Sequence, residues 1–273
     1  MKIKIFILLY LFIICNGYSQ TSINEISKNI VIKTEWENVF KDANAKGTFL
    51  LYNLTIDTLF AYNLERSEKS YLPASTFKIP NSLISLETNA IKDENEIIKW
   101  NGEKGFIDAW DQDHNLKSAI KYSVVWFYQE LARRVGFENM QKFLNEINYG
   151  NKMLGDKIDT FWLEGDLRIS AVEQILFLTK FINQDLPFTK RNMEIVKNIL
   201  LVDSSETYKM YAKTGWSARV KNETQIGWYV GFVETQNVGW IFATNIDITK
   251  DEDLPNRINI TRTILKNEGI ITK

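Results

Sequence analysis

Ser75 and Lys78 stand three residues apart in the run Pro73, Ala74, Ser75, Thr76, Phe77, Lys78, where apolar residues begin to recur with helical spacing. Positions i and i+3 share a helix face, so this spacing sets a hydroxyl beside an amine that can act on it. A helix start also offers free backbone N–H groups and the positive end of the helix dipole, where an acyl oxyanion would form. That is equipment for acyl transfer through a serine ester. The motif is weak alone, because Ser118 and Lys121 repeat it and random placement of the serines and lysines gives about one match. Taken singly, Ser75 is better explained as an N-cap and Lys78 as a solvated helix lysine. Further along, Lys213, Thr214 and Gly215 fall within a strand-like run. Lysine and threonine there can face a carboxylate, and glycine lets a ligand approach the backbone.

Composition removes other mechanisms. The chain has one histidine, His114, and one cysteine, Cys15, so a zinc site built from several His and Cys ligands is excluded and no metal is expected. A Ser/His/Asp triad would have to use His114, which lies in the polar run Asp111, Gln112, Asp113, His114, Asn115 and is expected in a surface turn. Lys and Arg number 33 against 34 Asp and Glu, with no basic cluster long enough to track a phosphate backbone, so nucleic acid is not an expected partner. With 273 residues, 45% of them hydrophobic and 25% charged, the chain can bury a substantial core.

The elements that must position these residues follow from periodicity. Gly47 to Leu54 and Thr58 to Asn63 predict a hairpin. Helical spacing marks Ser75 to Ala90, Ser123 to Gly136, Glu138 to Glu146, Ala171 to Asn183 and Thr189 to Leu201. Strand character returns over Tyr208 to Val220, Gln225 to Thr235 and Gly239 to Ile246, before a last helix from about Asn256 to Lys266. The expected fold is mixed α+β: an antiparallel sheet flanked by helices, made when the first strands return to pair with the last, with an all-helical lobe inserted. The α/β part is expected at about 21–70 and 202–273 and the lobe at about 75–201, with the cleft at their boundary.

The N-terminus has the layout of a signal peptide: Lys2 and Lys4, an apolar run from Ile5 to Cys15, then a polar stretch to Gln20. Cleavage near Gln20 would leave a soluble domain of residues 21–273 without cysteine, periplasmic or secreted and without disulfides. A lipoprotein anchor through Cys15 is the lesser alternative, since Ile14 occupies the position where such sites carry a small residue. No later segment reaches the roughly 20 apolar residues of a membrane span.

Five short motifs together resemble the class D, oxacillinase-type serine β-lactamases. They are Ser75 to Lys78, Ser123-Val-Val125, Tyr149-Gly-Asn151, Phe161-Trp-Leu-Glu-Gly165 and Lys213-Thr-Gly215, in that family's order and over essentially the whole mature chain. Val124 and Val125 stand where the class A pattern has Asp-Asn, which argues against class A. The resemblance implies the penicillin-recognising serine transferase/β-lactamase-like fold, a small-molecule β-lactam as partner, and a monomer or homodimer.

It also implies roles. Ser75 would be the acyl nucleophile, with the N–H groups of Ser75 and Trp216 as oxyanion hole. Ser123 would shuttle a proton to the leaving nitrogen. Lys213, Thr214 and Gly215 would lie by the substrate carboxylate and Arg257 would pair with it. Tyr149 and Asn151 would line the cleft structurally, and Glu164 receives no catalytic role. No separate cofactor is expected, but carbon dioxide would be held as an N-carboxyl group on Lys78. A free lysine is charged at neutral pH, and desolvation by Phe77, Val125 and Trp162 would favour the neutral amine that adds carbon dioxide. The carbamate would serve as base in both steps, with the Trp162 indole N–H as its donor. Two rivals share parts of the pattern. A penicillin-binding sensor domain would acylate once and deacylate slowly, and a D-alanyl-D-alanine peptidase has less reason to place Val125 and Trp162 around the lysine.

Overall fold

The structure, a computed structural model, describes residues 23–218 and 224–272. The leader, Cys15 and the expected cleavage point at Gln20 lie outside the described residues. Alternation of apolar side chains builds seven strands: β1 (Asn29–Ile32), β2 (Gly47–Asn53), β3 (Thr58–Tyr62), β4 (Leu201–Ser204), β5 (Tyr208–Trp216), β6 (Gln225–Thr235) and β7 (Gly239–Ile248). They form one sheet in the order β1-β3-β2-β7-β6-β5-β4. β2 pairs antiparallel with β7, from Gly47 opposite Ile246 to Asn53 opposite Trp240, which joins the two ends of the chain in one sheet. The departure from an all-antiparallel sheet is β1, which runs parallel to β3. Both edge strands are four residues long, too short for a periodic signal to separate them from loop.

Eight α-helices accompany the sheet among the described residues: α1 (Glu37–Asp42), α2 (Leu64–Ser67), α3 (Lys78–Glu87), α4 (Leu116–Lys121), α5 (Val125–Glu146), α6 (Ala171–Ile182), α7 (Lys190–Ile199) and α8 (Asn256–Asn267). α6 shows why they form where they do. Ser170 and Glu173 make a reciprocal capping box at its start, an arrangement worth about 1 kcal/mol, and Val172, Ile175 and Leu178 recur on the buried side. As the two runs expected on either side of Gly136 require, α5 consists of two helical segments that meet at that glycine, whose φ of 76° and ψ of 164° are not helical.

The strand pleat sorts side chains between two cores. On β2, Leu50 and Tyr52 join the core under the helical lobe, while Phe49 and Leu51 join the core shared with α1 and α8. On β5, Tyr211 belongs to the lobe-side core, and Tyr208, Met210 and Ala212 to the α8 side. By this parity Lys213 and Gly215 face the lobe, and Thr214 and Trp216 face α8.

Candidate active site

Ser75 lies within a 3₁₀ turn, Ala74–Phe77, that runs directly into α3, so it is not the N-cap of a regular helix. In a 3₁₀ turn side chains at i and i+3 eclipse, and Lys78 Nζ accordingly sits 2.9 Å from Ser75 Oγ. Ser75 is half-buried, whereas Lys78 is 0% exposed. The Lys78 nitrogen also lies 5.2 Å from the centre of the Tyr128 ring. Tyr128 occurs three residues after Val125, on the same side of α5, and its buried hydroxyl bonds Ser82 on α3 at 2.9 Å.

The turn that carries Ser75 is held from several elements. Ala74, fully buried, has a left-handed φ of 48°, a conformation that costs about 1–3 kcal/mol in a non-glycine residue and persists only where the surroundings enforce it. Thr76 Oγ1 donates to Pro73 O at 2.8 Å and accepts from Gln174 Nε2 of α6 at 2.9 Å. The Trp228 indole of β6 donates to Leu72 O at 2.9 Å. Gln174 and Trp228 carry no local signal in the sequence, because each reaches this turn from nearly or more than a hundred residues away.

Gly215 brings β5 against the same turn. A Cβ there would lie 2.9 Å from Pro73 O and 3.1 Å from Thr76 Cγ2, so the glycine admits the backbone of the Ser75 turn rather than the ligand expected from its sequence context. Two residues before it on the same face, the Lys213 ammonium donates to Ser123 Oγ at 3.1 Å and to Thr214 O at 3.1 Å. Strand alternation starts the Lys213 and Thr214 side chains on opposite faces, yet the lysine bends back so that its nitrogen also donates to Thr214 Oγ1 at 3.4 Å, and both residues line the same cleft. Ser217 N donates to Ile226 O on β6 and Ala212 N to Leu200 O on the other side. By alternation Trp216 N–H points away from β6.

Ser123 follows α4 with a left-handed φ of 57° and is half-buried. Burial and the nearby Arg257 cation push the Lys213 ammonium down to about 7. Arg257, from α8, is lowered by burial to about 10 and so stays charged at neutral pH; its Nε and Nη1 are buried without a hydrogen-bond partner. Among the described residues no carboxylate bridges these two cations, an arrangement whose charge suits an anion. A cleft of about 740 Å³ opens beside them, lined by Lys213, Thr214, Ile120, Lys121, Ile199 and Ile258 among others.

Behind the Ser75–Lys78 pair lies an aromatic cluster. Phe77 stacks on Trp162 at 5.4 Å and meets Phe161 and Tyr149 edge-on at 4.9 and 5.6 Å. Trp162 is 0% exposed and its indole N–H has no hydrogen-bond partner. Val125 begins α5 and is buried. Tyr149 is wholly buried, its hydroxyl beside Thr76 and Gln174 without a well-formed hydrogen bond to either. Asn151 anchors a loop instead of lining the cleft: it donates to Asp166 O at 2.8 Å and accepts from Arg168 N at 3.0 Å. Gly150 between them has a φ of 52°, and any Cβ would collide with Arg168 O. Glu164 is exposed.

His114 is not in a surface turn. It is 2% exposed, and its ring nitrogens lie 2.9 Å from Ser118 Oγ and 3.0 Å from Ala109 O, which leaves neither for a nucleophile. Its neighbours are polar and exposed, but its backbone pairs with Ile98 and turns the ring inward. Among the described residues there is also no cluster of metal-ligating side chains.

A Ser–Lys pair where a helical lobe meets a sheet, with a second serine and a lysine on the facing strand, defines a penicillin-recognising serine enzyme. The family model of the penicillin binding protein transpeptidase domain matches residues 33–266. β-Lactamase OXA-48 of Klebsiella pneumoniae is 44% identical over 236 residues, covering 86% of this chain and 88% of that protein. β-Lactamase OXA-5 of Pseudomonas aeruginosa is 40% identical over 256 residues, 93% of this chain and 94% of that one. Among solved structures, the class D β-lactamase FUS-1 (OXA-85) of Fusobacterium nucleatum subsp. polymorphum superposes with a TM-score of 0.86 at 41% identity, covering 89% of this chain and 100% of its own. The chain belongs to the class D β-lactamases.

Proposed function

We propose that this protein hydrolyses β-lactam antibiotics through an acyl-enzyme on Ser75 and so confers β-lactam resistance. The observation that carries the reading is the half-buried Ser75 hydroxyl 2.9 Å from the fully buried Lys78 amine. Membership of a family whose relatives here are named β-lactamases favours hydrolysis over a sensor or a cell-wall peptidase.

Ser75 Oγ attacks the β-lactam carbonyl carbon as its proton leaves toward the base carried by the Lys78 side chain. The N–H groups of Ser75 and Trp216 receive the developing oxyanion. The C–N bond of the ring breaks, and the nitrogen takes a proton through the Ser123 hydroxyl, which Lys213 holds by its hydrogen bond. The substrate carboxylate lies between Lys213, Thr214 and Arg257. Water then adds to the ester carbonyl, and cleavage of the bond to Ser75 Oγ releases a carboxylic acid and restores the serine.

Class D enzymes work without a separate cofactor. We further propose that Lys78 carries carbon dioxide as an N-carboxyl group. The residues fit it: Lys78 is removed from water, and the buried Trp162 N–H lacks an acceptor in the cluster behind it. Such a group supplies a base where no glutamate stands, in both acylation and deacylation. Trp162 holds it by donation from Nε1, and Phe77, Val125 and Tyr128 exclude water from the lysine.

Residues 1–20 serve in this reading as a cleaved leader, and the domain of residues 21–273 acts in the periplasm or outside the cell. Among the described residues no helix is long and apolar enough to cross a membrane.

Nitrocefin hydrolysis by the protein from Thr21 onward tests the activity, and mass spectrometry of a trapped intermediate tests the nucleophile. Turnover with the adduct on Ser75, and neither in Ser75→Ala, is the expected result; a single acylation burst without turnover would point to the sensor reading. Trp162→Phe keeps an aromatic ring beside Phe77 but removes the N–H together with part of the indole's bulk, and it should slow deacylation more than acylation. Activity at mildly acidic pH in carbon-dioxide-free buffer should recover on adding bicarbonate. No response to bicarbonate, with no extra carboxyl mass on Lys78, would sink the carbamate.

A further inference from the structure

We propose that His114 is a positioning residue for Ser123, acting through the turn at Ala109 and Trp110 and the carbonyl of Tyr122. The inference rests on the reading of Ser123 as the proton relay. Ser123 holds a left-handed φ of 57°, which a serine adopts only under constraint. Its own N–H bonds Ile120 O at 3.3 Å, and Val124 N bonds Ala119 O at 2.9 Å, closing the end of α4. The peptide plane between Tyr122 and Ser123 sets that φ, and its carbonyl is gripped by the Trp110 indole N–H at 2.9 Å. Trp110 is 8% exposed and is fixed in turn, its carbonyl accepting from the Trp126 indole at 2.8 Å.

His114 joins this grip to α4. One ring nitrogen meets Ala109 O at 3.0 Å, beside Trp110, and the other meets Ser118 Oγ at 2.9 Å. Ser118 belongs to the capping box of α4, and its carbonyl accepts from Tyr122 N at 3.0 Å. A carbonyl only accepts, so Nε2 carries the proton and Nδ1 accepts from the Ser118 hydroxyl. Reciprocal backbone hydrogen bonds to Ile98, at 2.8 and 3.2 Å, fix the residue itself. Loss of the ring frees the Ala109–Trp110 turn to shift, and with it the plane that aims the Ser123 hydroxyl at Lys213.

The test compares single-turnover acylation by a penicillin in His114→Ala, His114→Gln, Trp110→Phe and Ser123→Ala, and in each substitution combined with Ser123→Ala. His114→Ala and Trp110→Phe should acylate about tenfold more slowly, in line with the sensitivity of reacting geometry to displacements below 1 Å. His114→Gln, whose side-chain amide can donate to Ala109 O, should recover most of the rate. On the Ser123→Ala background neither His114→Ala nor Trp110→Phe should add a further loss, because both act through the missing hydroxyl. A merely structural role predicts lower melting temperatures with additive rate effects, and that additivity would overturn the proposal. Should His114→Ala fail to fold, Trp110→Phe decides: wild-type acylation in that variant also refutes it. If Ser123→Ala itself acylates at the wild-type rate, the relay reading falls first and takes this one with it.

Discussion

Lys213 and Arg257 are two neighbouring, largely buried cations, and among the described residues neither makes a salt bridge to a carboxylate. This has a consequence for pH at the residue scale. Burial, then Arg257, brings Lys213 down to about 7, below its value in an unfolded chain. From about pH 7 to about 10.5 the unfolded state therefore binds more protons than the folded one, and the stability of the free enzyme should rise with pH across that window. A bound carboxylate favours the charged lysine, so affinity for anionic substrates should fall as pH climbs above 7. Urea melts at pH 6.5 and 9, with penicillin KM at both, check the two signs. A KM independent of pH, or stability that declines from 6.5 to 9, would contradict this account.

At the scale of elements, the site depends on the close approach of β5 to the 3₁₀ turn. Gly215→Ala inserts a methyl 2.9 Å from Pro73 O, a backbone atom that Thr76, Gln174 and Trp228 help to hold in place. Overpacking of this kind costs about 1–3 kcal/mol, and displacement of the strand should lower kcat/KM by on the order of a hundredfold. Thermal melts and steady-state kinetics measure the two effects separately. The elements themselves were largely legible: β2, β3, β5, β6, β7, α6 and α8 lie where periodicity placed them, within a few residues. Others were not, beginning with the short helices α1, α2 and α4. The two edge strands are too short to show a period, β1 pairs in parallel, and the polar run around His114 conceals a buried ring. Local composition describes the neighbours of a side chain along the chain and not the direction in which it points.

For the whole molecule, pairing of β2 with β7 brings the ends of the chain together, and α8 packs on the face of the sheet opposite the helical lobe. Arg257 thus reaches the edge of β5 from one side while Ser75 and Ser123 reach it from the other. Arg257→Ala removes a charged contact made in both the ground and the transition state. It should raise KM for penicillins roughly tenfold to a hundredfold, from about 1.5–3 kcal/mol for such a bond, with a smaller change in kcat. Steady-state kinetics on a penicillin decide; a loss confined to kcat would remove Arg257 from the carboxylate site.

The sequence alone determined the chemistry on offer. Ser75 and Lys78 are neighbours by local geometry, since three residues of helical or 3₁₀ backbone bring them together whatever the rest of the chain does. Five ordered motifs carried the family resemblance, and the counts of histidine and cysteine removed the metal hydrolases. Only the tertiary structure decided which other groups meet that pair. Lys213 came up against Ser123, Tyr128 came up beside Lys78, and Gln174, Trp228 and Trp110 took hold of the backbone near the two serines. Each of these contacts joins residues on different elements, and some of them join residues about a hundred positions apart or more. Which side chains meet is then set by the packing of whole faces, which short motifs do not encode.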